Sequence, residues 1–434
     1  MRGVIIGAPA SGSGKTTFTL GALRAFRARG LRVASAKVGP DYIDPAYHTA
    51  ASGRACLNLD TWAMSPSLLS AQIHSLSDSE TVIAEGAMGL FDGAPDGRGS
   101  AADLARLTGW PVVLVVDASG MAASVAALVQ GFRAFDPKVA VSGVVFNRVG
   151  SVRHAELLAK ACAPLGIPVL GHLPRTPVLG LPERHLGLVQ AAEHPQLGQF
   201  LAGVAAVVEK SVDLERLAAT ARPCRLPAAE WTQALPAPGR RIALARDAAF
   251  AFSYPYVLAG WREGGAEVLP FSPLADEPPD PGCDAVYLPG GYPELHAERL
   301  AAAHRFKSGV HDAAARGAVV YGECGGYMTL GRGLVDAGGN RHEMCGLLPL
   351  ETSFAERALH LGYRQVATRS NSFLGLPGTE YRGHEFHFAA TLGEDRSCGR
   401  LFESRDASGA LLGPSGLVRG NVTGSFVHLI ERCR

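Results

Sequence analysis

Apolar residues in this chain gather into short β-branched runs that do not alternate with polar ones, each followed by a stretch where they recur at helical spacing. The first run covers 4–6, and Leu20, Leu23 and Phe26 then line one face of a segment, 17–29, that stops at Gly30. Runs at 31–36, 81–84, 111–116, 141–146 and 167–170 repeat the pattern. Strands without alternation are buried on both faces, so these predict a parallel sheet covered by helices. Between 223 and 239 the pattern lapses: Pro223, Pro227, Pro236 and Pro238 stand among small residues, which reads as an interdomain linker. A second α/β pattern follows, with strands expected near 241–245, 266–269, 285–288 and 318–321. The expected fold is α/β in two doubly wound domains, residues 1–222 and 240–434, each with a mostly parallel sheet.

Composition narrows what such a chain can do. Its 434 residues are 47% hydrophobic, enough for a large core in two or three domains. A net charge of +1 gives no global field toward nucleic acid or anionic lipid, so neither is expected as a partner. Eight cysteines without a C-x-x-C pair argue against a zinc ribbon or disulfide framework and suit a reducing cytoplasm. The N-terminus runs straight into the first strand, which leaves no room for a signal peptide, and no apolar run reaches the roughly 18 residues of a spanning helix.

Two segments carry chemistry. After the first strand, Ser11-Gly12-Ser13-Gly14-Lys15-Thr16-Thr17 reads as a phosphate loop. Gly12 and Gly14 let the backbone curl so that N–H groups, with that of Ser13 between them, face phosphate oxygens at a helix start. Lys15 would reach the terminal phosphates, the Thr16 hydroxyl would ligate Mg²⁺, and Thr17 completes the loop. The match is imperfect, because Pro9 stands where the usual spacing wants glycine. Lys37-Val38-Gly39-Pro40-Asp41-Tyr42-Ile43-Asp44-Pro45 and Glu85-Gly86-Ala87-Met88-Gly89-Leu90-Phe91-Asp92-Gly93 both follow strands, and a parallel sheet would bring both to the carboxyl edge beside the loop. Lys37 joins the nucleotide-binding set, Asp41 and Glu85 the magnesium set with Thr16, and Asp44 and Asp92 the phosphate-transfer set. Asp before Pro or Gly is also ordinary turn chemistry, a competing account of Asp44 and Asp92.

The second segment is Tyr321-Gly322-Glu323-Cys324-Gly325-Gly326-Tyr327, a strand, tight turn and helix start that makes Cys324 a nucleophile at an elbow. A thiol at a helix N-terminus is expected to have a lowered pKa. Gly325 and the Gly290-Gly291 turn would supply backbone N–H donors to an oxyanion and to the bound donor amide, and His428 is the best general base. His384-Glu385-Phe386-His387 is not a zincin motif, since Phe388 stands where its second histidine belongs.

Together with Leu181-Pro182-Glu183-Arg184-His185-Leu186-Gly187-Leu188 and Arg382-Gly383-His384-Glu385-Phe386-His387, these motifs resemble the a,c-diamide synthases that act on cobyrinic or hydrogenobyrinic acid, over nearly the whole chain. The resemblance implies a dethiobiotin synthetase-like ATP domain and a flavodoxin-like class I glutamine amidotransferase domain. It further implies that Cys324 releases ammonia from glutamine, that ATP with Mg²⁺ phosphorylates a substrate carboxylate, and that the acyl phosphate becomes an amide. Small molecules are thus the expected partners, with a homodimer as one assembly the sequence allows. A polycarboxylate macrocycle needs cationic hosts, and Arg148, Arg175, Arg184 and His185 are the candidates. Class I amidotransferases generally orient the catalytic histidine with a glutamate two residues on. Here that position is Ile430, as the cobalamin-pathway branch also lacks the glutamate, which leaves open what orients His428 and suggests slow glutaminase turnover. The same activation chemistry serves a nickel-sirohydrochlorin or a cobyric acid precursor, and a nucleotide-switch protein with an inert amidotransferase-like appendage is the rival of another class.

Overall fold

The computed structural model describes every residue except 182, 185, 186, 396, 397 and 434, with 183, 184, 187 and 188 described by backbone alone. It divides into two compact units, Met1–Trp231 and Thr232–Arg434. In the first, β1 (Arg2–Gly7), β2 (Val33–Val38), β3 (Leu57–Leu59), β4 (Thr81–Glu85), β5 (Val112–Asp117), β6 (Val141–Val149) and β7 (Val169–Pro174) form one sheet in the order β3-β2-β4-β1-β5-β6-β7. All these neighbours are parallel. All six residues of β2 are buried, as the lack of alternation predicts. Each valine or isoleucine so covered is worth about 1.5–3 kcal/mol relative to exposure. The chain leaves β1 toward β2 on one side but leaves β4 toward β5 on the other. The order therefore reverses between β1 and β4, and the crevice outside their carboxyl ends is where such sheets bind ligands.

The stretch read as a linker is partly structured. Arg222–Pro223 pairs antiparallel with Arg2 and Gly3, and the Cys224 N–H donates to the Met1 carbonyl at 2.8 Å.

The second unit opens as expected. Its parallel strands run Glu267–Phe271, Arg241–Ala245, Ala285–Leu288, Val319–Glu323, Val422–Ser425 across the sheet. The same sheet then continues antiparallel through Leu411–Arg419, Gly399–Asp406, His360–Thr368, Glu380–His387 and Val427–Arg432, a half that the apolar pattern did not reveal. Strands Val422–Ser425 and Val427–Arg432 are separated by Phe426 alone, yet four strands lie between them in the sheet. Five inter-strand steps of about 4.8 Å far exceed the reach of two peptide units, so the sheet must curl back on itself. Phe426 sits at that closure, stacked on His387 at 3.9 Å and edge-on to Tyr327 at 5.2 Å.

Candidate active sites

In the first unit, the loop between β1 and helix α1 (Lys15–Ala28) folds as a phosphate cradle despite Pro9. Ser13 closes it by donating its hydroxyl to the Ala10 carbonyl at 2.8 Å. Gly12 and Gly14 have φ of +73° and +95°. At Gly14 a side chain is excluded twice over, because a Cβ there would lie 1.9 Å from Asn147 Nδ2, which donates to the Ser13 carbonyl at 2.9 Å. Asn147, at the carboxyl end of β6, is a loop-holding residue that no local motif announces. Lys15 spans the cradle and donates to the Met88 carbonyl at 2.5 Å. Burial outweighs the pull of Glu85 and brings its ammonium down to about 8. Thr17, expected at the phosphates, donates its hydroxyl to the Leu179 carbonyl at 3.3 Å.

Beside the cradle, β2, β4 and helix α2 (Asp44–Ser52) converge on one ionic cluster. Lys37 Nζ lies 2.5 Å from Asp44 and 2.8 Å from Glu85, with Asp41 at 3.8 Å. Thr16 donates to Glu85 Oε1 at 2.6 Å and lies 3.4 Å from Asp44. Burial opposes charge on Lys37, but Asp44 and Glu85 overcome it and hold the ammonium charged. Burial likewise raises Asp44, to about 6, with Asp41 adding, whereas for Glu85 the pull of Lys37 and His48 overrides burial and keeps it ionised. Asp41 is less free than expected, since its Oδ1 accepts from the N–H groups of Ile43 and Asp44 and so begins α2. Asp92 accepts from the Gly89 N–H at 2.9 Å, which is the turn role, while its charge still acts on Lys15.

Sequence reasoning missed His48, which is fully buried on α2 one turn after Asp44. Its Nε2 meets Glu85 Oε2 at 2.7 Å and its Nδ1 lies 3.5 Å from Cys56 Sγ. Burial opposes its charge, but Cys56 and Glu85 outweigh that and lift it to about 10. Among the expected cationic hosts, Arg148 lies near the carboxyl end of β6 and is ion-paired to Asp117 at the end of β5, and Arg175 is exposed just beyond β7. His185 and the Arg184 side chain lie outside the described residues.

In the second unit, Val319–Glu323 ends in Cys324, whose φ of 46° and ψ of −102° make a sharp elbow into the helix Gly325–Leu330. The Cys324 N–H donates to the Ser425 carbonyl at 2.8 Å, and its thiol faces the Phe386 carbonyl at 3.8 Å. The expectation of a lowered thiol pKa is not met. Cys324 is only 3% exposed; burial foremost, then the Glu294 carboxylate, drives the thiol well above its ordinary range, with the Gly325 N–H only partly opposing. A six-residue helix has too weak a terminus to offset that desolvation.

His428 lies on Val427–Arg432, paired in register with His384. Burial, with His384 and His387 nearby, drops its imidazole to about 3, so it rests neutral. Its ring packs against Gly290, where a Cβ would come within 2.3 Å of His428 Cε1. Gly325 packs on the same turn, since a Cβ there would lie 3.0 Å from the Gly291 nitrogen. The Gly290-Gly291 turn thus brings together the imidazole and the residue after the cysteine. Beside them, Glu385 pairs with Arg364 at 2.6 Å and with His387 at 3.0 Å. Glu323, quoted in the cysteine motif but given no role by sequence reasoning, is buried between Tyr287 and Tyr321, both of which donate to it at 2.8 Å.

A cysteine on an elbow, with an imidazole on the glycine turn that packs against the next residue, fits a glutamine amidotransferase, and a phosphate-type loop next to buried carboxylates fits nucleotide binding. One chain with both is a glutamine-dependent, amide-forming ligase. The CobQ/CobB/MinD/ParA nucleotide binding domain family matches residues 4–189, and the CobB/CobQ-like glutamine amidotransferase domain family matches 241–432. The chain is 57% identical to the hydrogenobyrinate a,c-diamide synthase of Brucella abortus over 99% of each chain. It is 55% identical to that of Brucella anthropi, over 100% of this chain and 99% of the relative, and 55% identical to that of Rhizobium meliloti over 99% of each. The chain belongs to the hydrogenobyrinate a,c-diamide synthase family. No helix among the described residues is long and apolar enough to cross a membrane.

Proposed function

We propose that this chain converts the a and c side-chain carboxylates of hydrogenobyrinic acid to amides, at the expense of ATP and glutamine. The relatives' activity supports the substrate, and one observation carries the chemistry: Gly325, next to Cys324 on its elbow, and the His428 ring pack on the same Gly290-Gly291 turn. His428 takes the thiol proton as Cys324 attacks the glutamine amide. Ammonia leaves, and water clears the thioester. In the first unit, Lys15 and the loop N–H groups hold the triphosphate, a substrate carboxylate attacks the γ-phosphorus and expels ADP to give an acyl phosphate, and ammonia then converts that to an amide with loss of phosphate. Catalysis of the phosphoryl step is positioning and charge neutralisation.

The donors around Thr16 are all oxygens, from its hydroxyl, Asp44 and Glu85, which suits Mg²⁺. That ion would neutralise charge on the phosphates being transferred. Asp41, with one oxygen committed to α2, is at most an outer partner of that set. Lys37 keeps Asp44 and Glu85 oriented. Arg175 and the Arg184–His185 segment remain the proposed hosts for substrate carboxylates.

The test is mass spectrometry of hydrogenobyrinic acid and, separately, cobyrinic acid after incubation with ATP, Mg²⁺ and ¹⁵N-amide glutamine. Two labelled amides on the metal-free ring are expected. Cys324→Ala is expected to lose the glutamine-driven product and keep the ammonia-driven one. If neither nitrogen source gives any amide with the unaltered chain, the proposal is overturned, as it is by addition of four.

A further inference from the structure

With Ile430 standing two residues beyond His428, no carboxylate at that position can hold the imidazole. Ile430 is instead buried in the core, 1% exposed. The structure offers a carboxylate from elsewhere. Glu323, the residue before the nucleophile, is 3% exposed, and its Oε2 lies 3.8 Å from His428 Nδ1.

An accounting of lone pairs gives this approach its meaning. A carboxylate has about four acceptor positions. Oε1 of Glu323 accepts from the Tyr321 hydroxyl at 2.8 Å and from the Leu429 N–H at 3.3 Å. Oε2 accepts from the Tyr287 hydroxyl at 2.8 Å, which leaves its other side for the imidazole. Because Leu429 follows His428, Glu323 is tied to the backbone of the strand that carries the histidine as well as facing its ring. Glu385, whose charge favours the imidazolium, has both its oxygens engaged, by Arg364 and by His387.

We propose that Glu323 is the positioning residue of the glutaminase: it receives the hydrogen bond from His428 Nδ1–H, keeps Nε2 unprotonated so that it can take the Cys324 proton, and steadies the imidazolium that results. This rests on the proposed roles of Cys324 and His428. At 3.8 Å the contact is longer than a hydrogen bond, as such contacts are in ligand-free enzymes, and it shortens when the donor amide binds. Burial lifts the Glu323 carboxyl to about 7, so near neutral pH a large share of it is ionised and able to accept from Nδ1–H. Glu323 comes from the nucleophile's own strand, so the elbow and its base are aligned by a single side chain.

The test is Glu323→Gln. Its amide oxygen is best placed at the Oε1 position, which receives two donors, so its NH₂ would face Nδ1. Donation to Nδ1 fixes the proton on Nε2, the wrong tautomer for a base. In the full chain, kcat for glutamine-driven amidation should fall about 100-fold, with KM for glutamine within threefold and ammonia-driven amidation within twofold of the unaltered chain. Glu323→Asp, which keeps the charge but withdraws it by one methylene, should lose less, again in kcat. A glutamine-driven kcat within threefold of the unaltered chain for both variants overturns the proposal. So does an equal loss with ammonia, which marks a merely structural role. Cys324→Ala run alongside separates the two readings. If it keeps glutamine-driven activity, the Cys324–His428 reading falls and this one with it; if it is silent while Glu323→Gln is not impaired, Glu323 alone is refuted.

Discussion

Gly290→Ala tests the geometry of the glutaminase with a single methyl group. Gly290 does not occupy the left-handed region, so its backbone tolerates alanine, and its N–H and its carbonyl bond to the Phe252 N–H at 2.9 Å are retained. What changes is space. The new carbon would lie 2.3 Å from His428 Cε1, 3.2 Å from Nε2 and 3.3 Å from Nδ1. Carbon atoms settle at about 3.5–4.0 Å, so the imidazole must retreat by more than about 1 Å. A misplacement of that size costs about 100-fold in rate, while overpacking of this kind costs about 1–3 kcal/mol in stability. The assay is amidation with glutamine and with ammonium chloride side by side, and thermal unfolding verifies the fold. Glutamine-driven turnover should drop about 100-fold and ammonia-driven turnover should hold. If both nitrogen sources support unaltered rates in a folded variant, His428 does not work from where it rests against Gly290.

Three further outcomes follow from the same contacts. Gly14→Ala must place a Cβ at φ +95° and against Asn147, so nucleotide affinity measured calorimetrically should fall at least about 30-fold while glutamine hydrolysis by the second unit persists. His384 and His428 are both held neutral down to about pH 3, so the native second unit binds fewer protons than the unfolded chain once pH drops below about 6.5. Their contribution is complete above that value and is lost as pH falls toward 3, whereas Glu323, raised to about 7, favours the fold more as pH falls from 7 toward 4.5. With His387 lowered as well, three groups stand against one, so the Tm of the second unit should decline from pH 7 to pH 5, and His384→Asn should flatten the decline; an unchanged slope counts against the assignment. Timed alkylation with iodoacetamide at pH 7.5, read by peptide mass spectrometry, should label half-buried Cys398 before Cys324, and the reverse order would contradict the raised thiol.

The elements legible in the sequence were those whose chemistry is local. The phosphate loop and the cysteine elbow each lie within seven consecutive residues, and strands buried on both faces show themselves as unbroken apolar runs such as 112–116. The antiparallel half of the second sheet was not legible, because His360–Thr368 and Leu411–Arg419 mix glycine, polar and exposed positions and look like loop. His48 gave no signal, since a lone histidine acquires its role only when α2 folds against Glu85. Glu323 stood in plain view, but Tyr287 and His428, which it meets, come from two distant points in the chain. The thiol was misjudged because proximity to a helix start is visible in a sequence and the dehydration of the sulfur is not. Arg148 was taken as a free cation for a related reason: Asp117, its partner, is set beside it only by the pairing of β5 with β6.

The dehydrated state of Cys324 also bears on how the molecule behaves when idle. A sulfur that keeps its proton is a poor target for peroxide and a poor attacker of amides, so with the role proposed for Cys324 the enzyme would waste little nitrogen and the thiol would resist oxidation between turnovers.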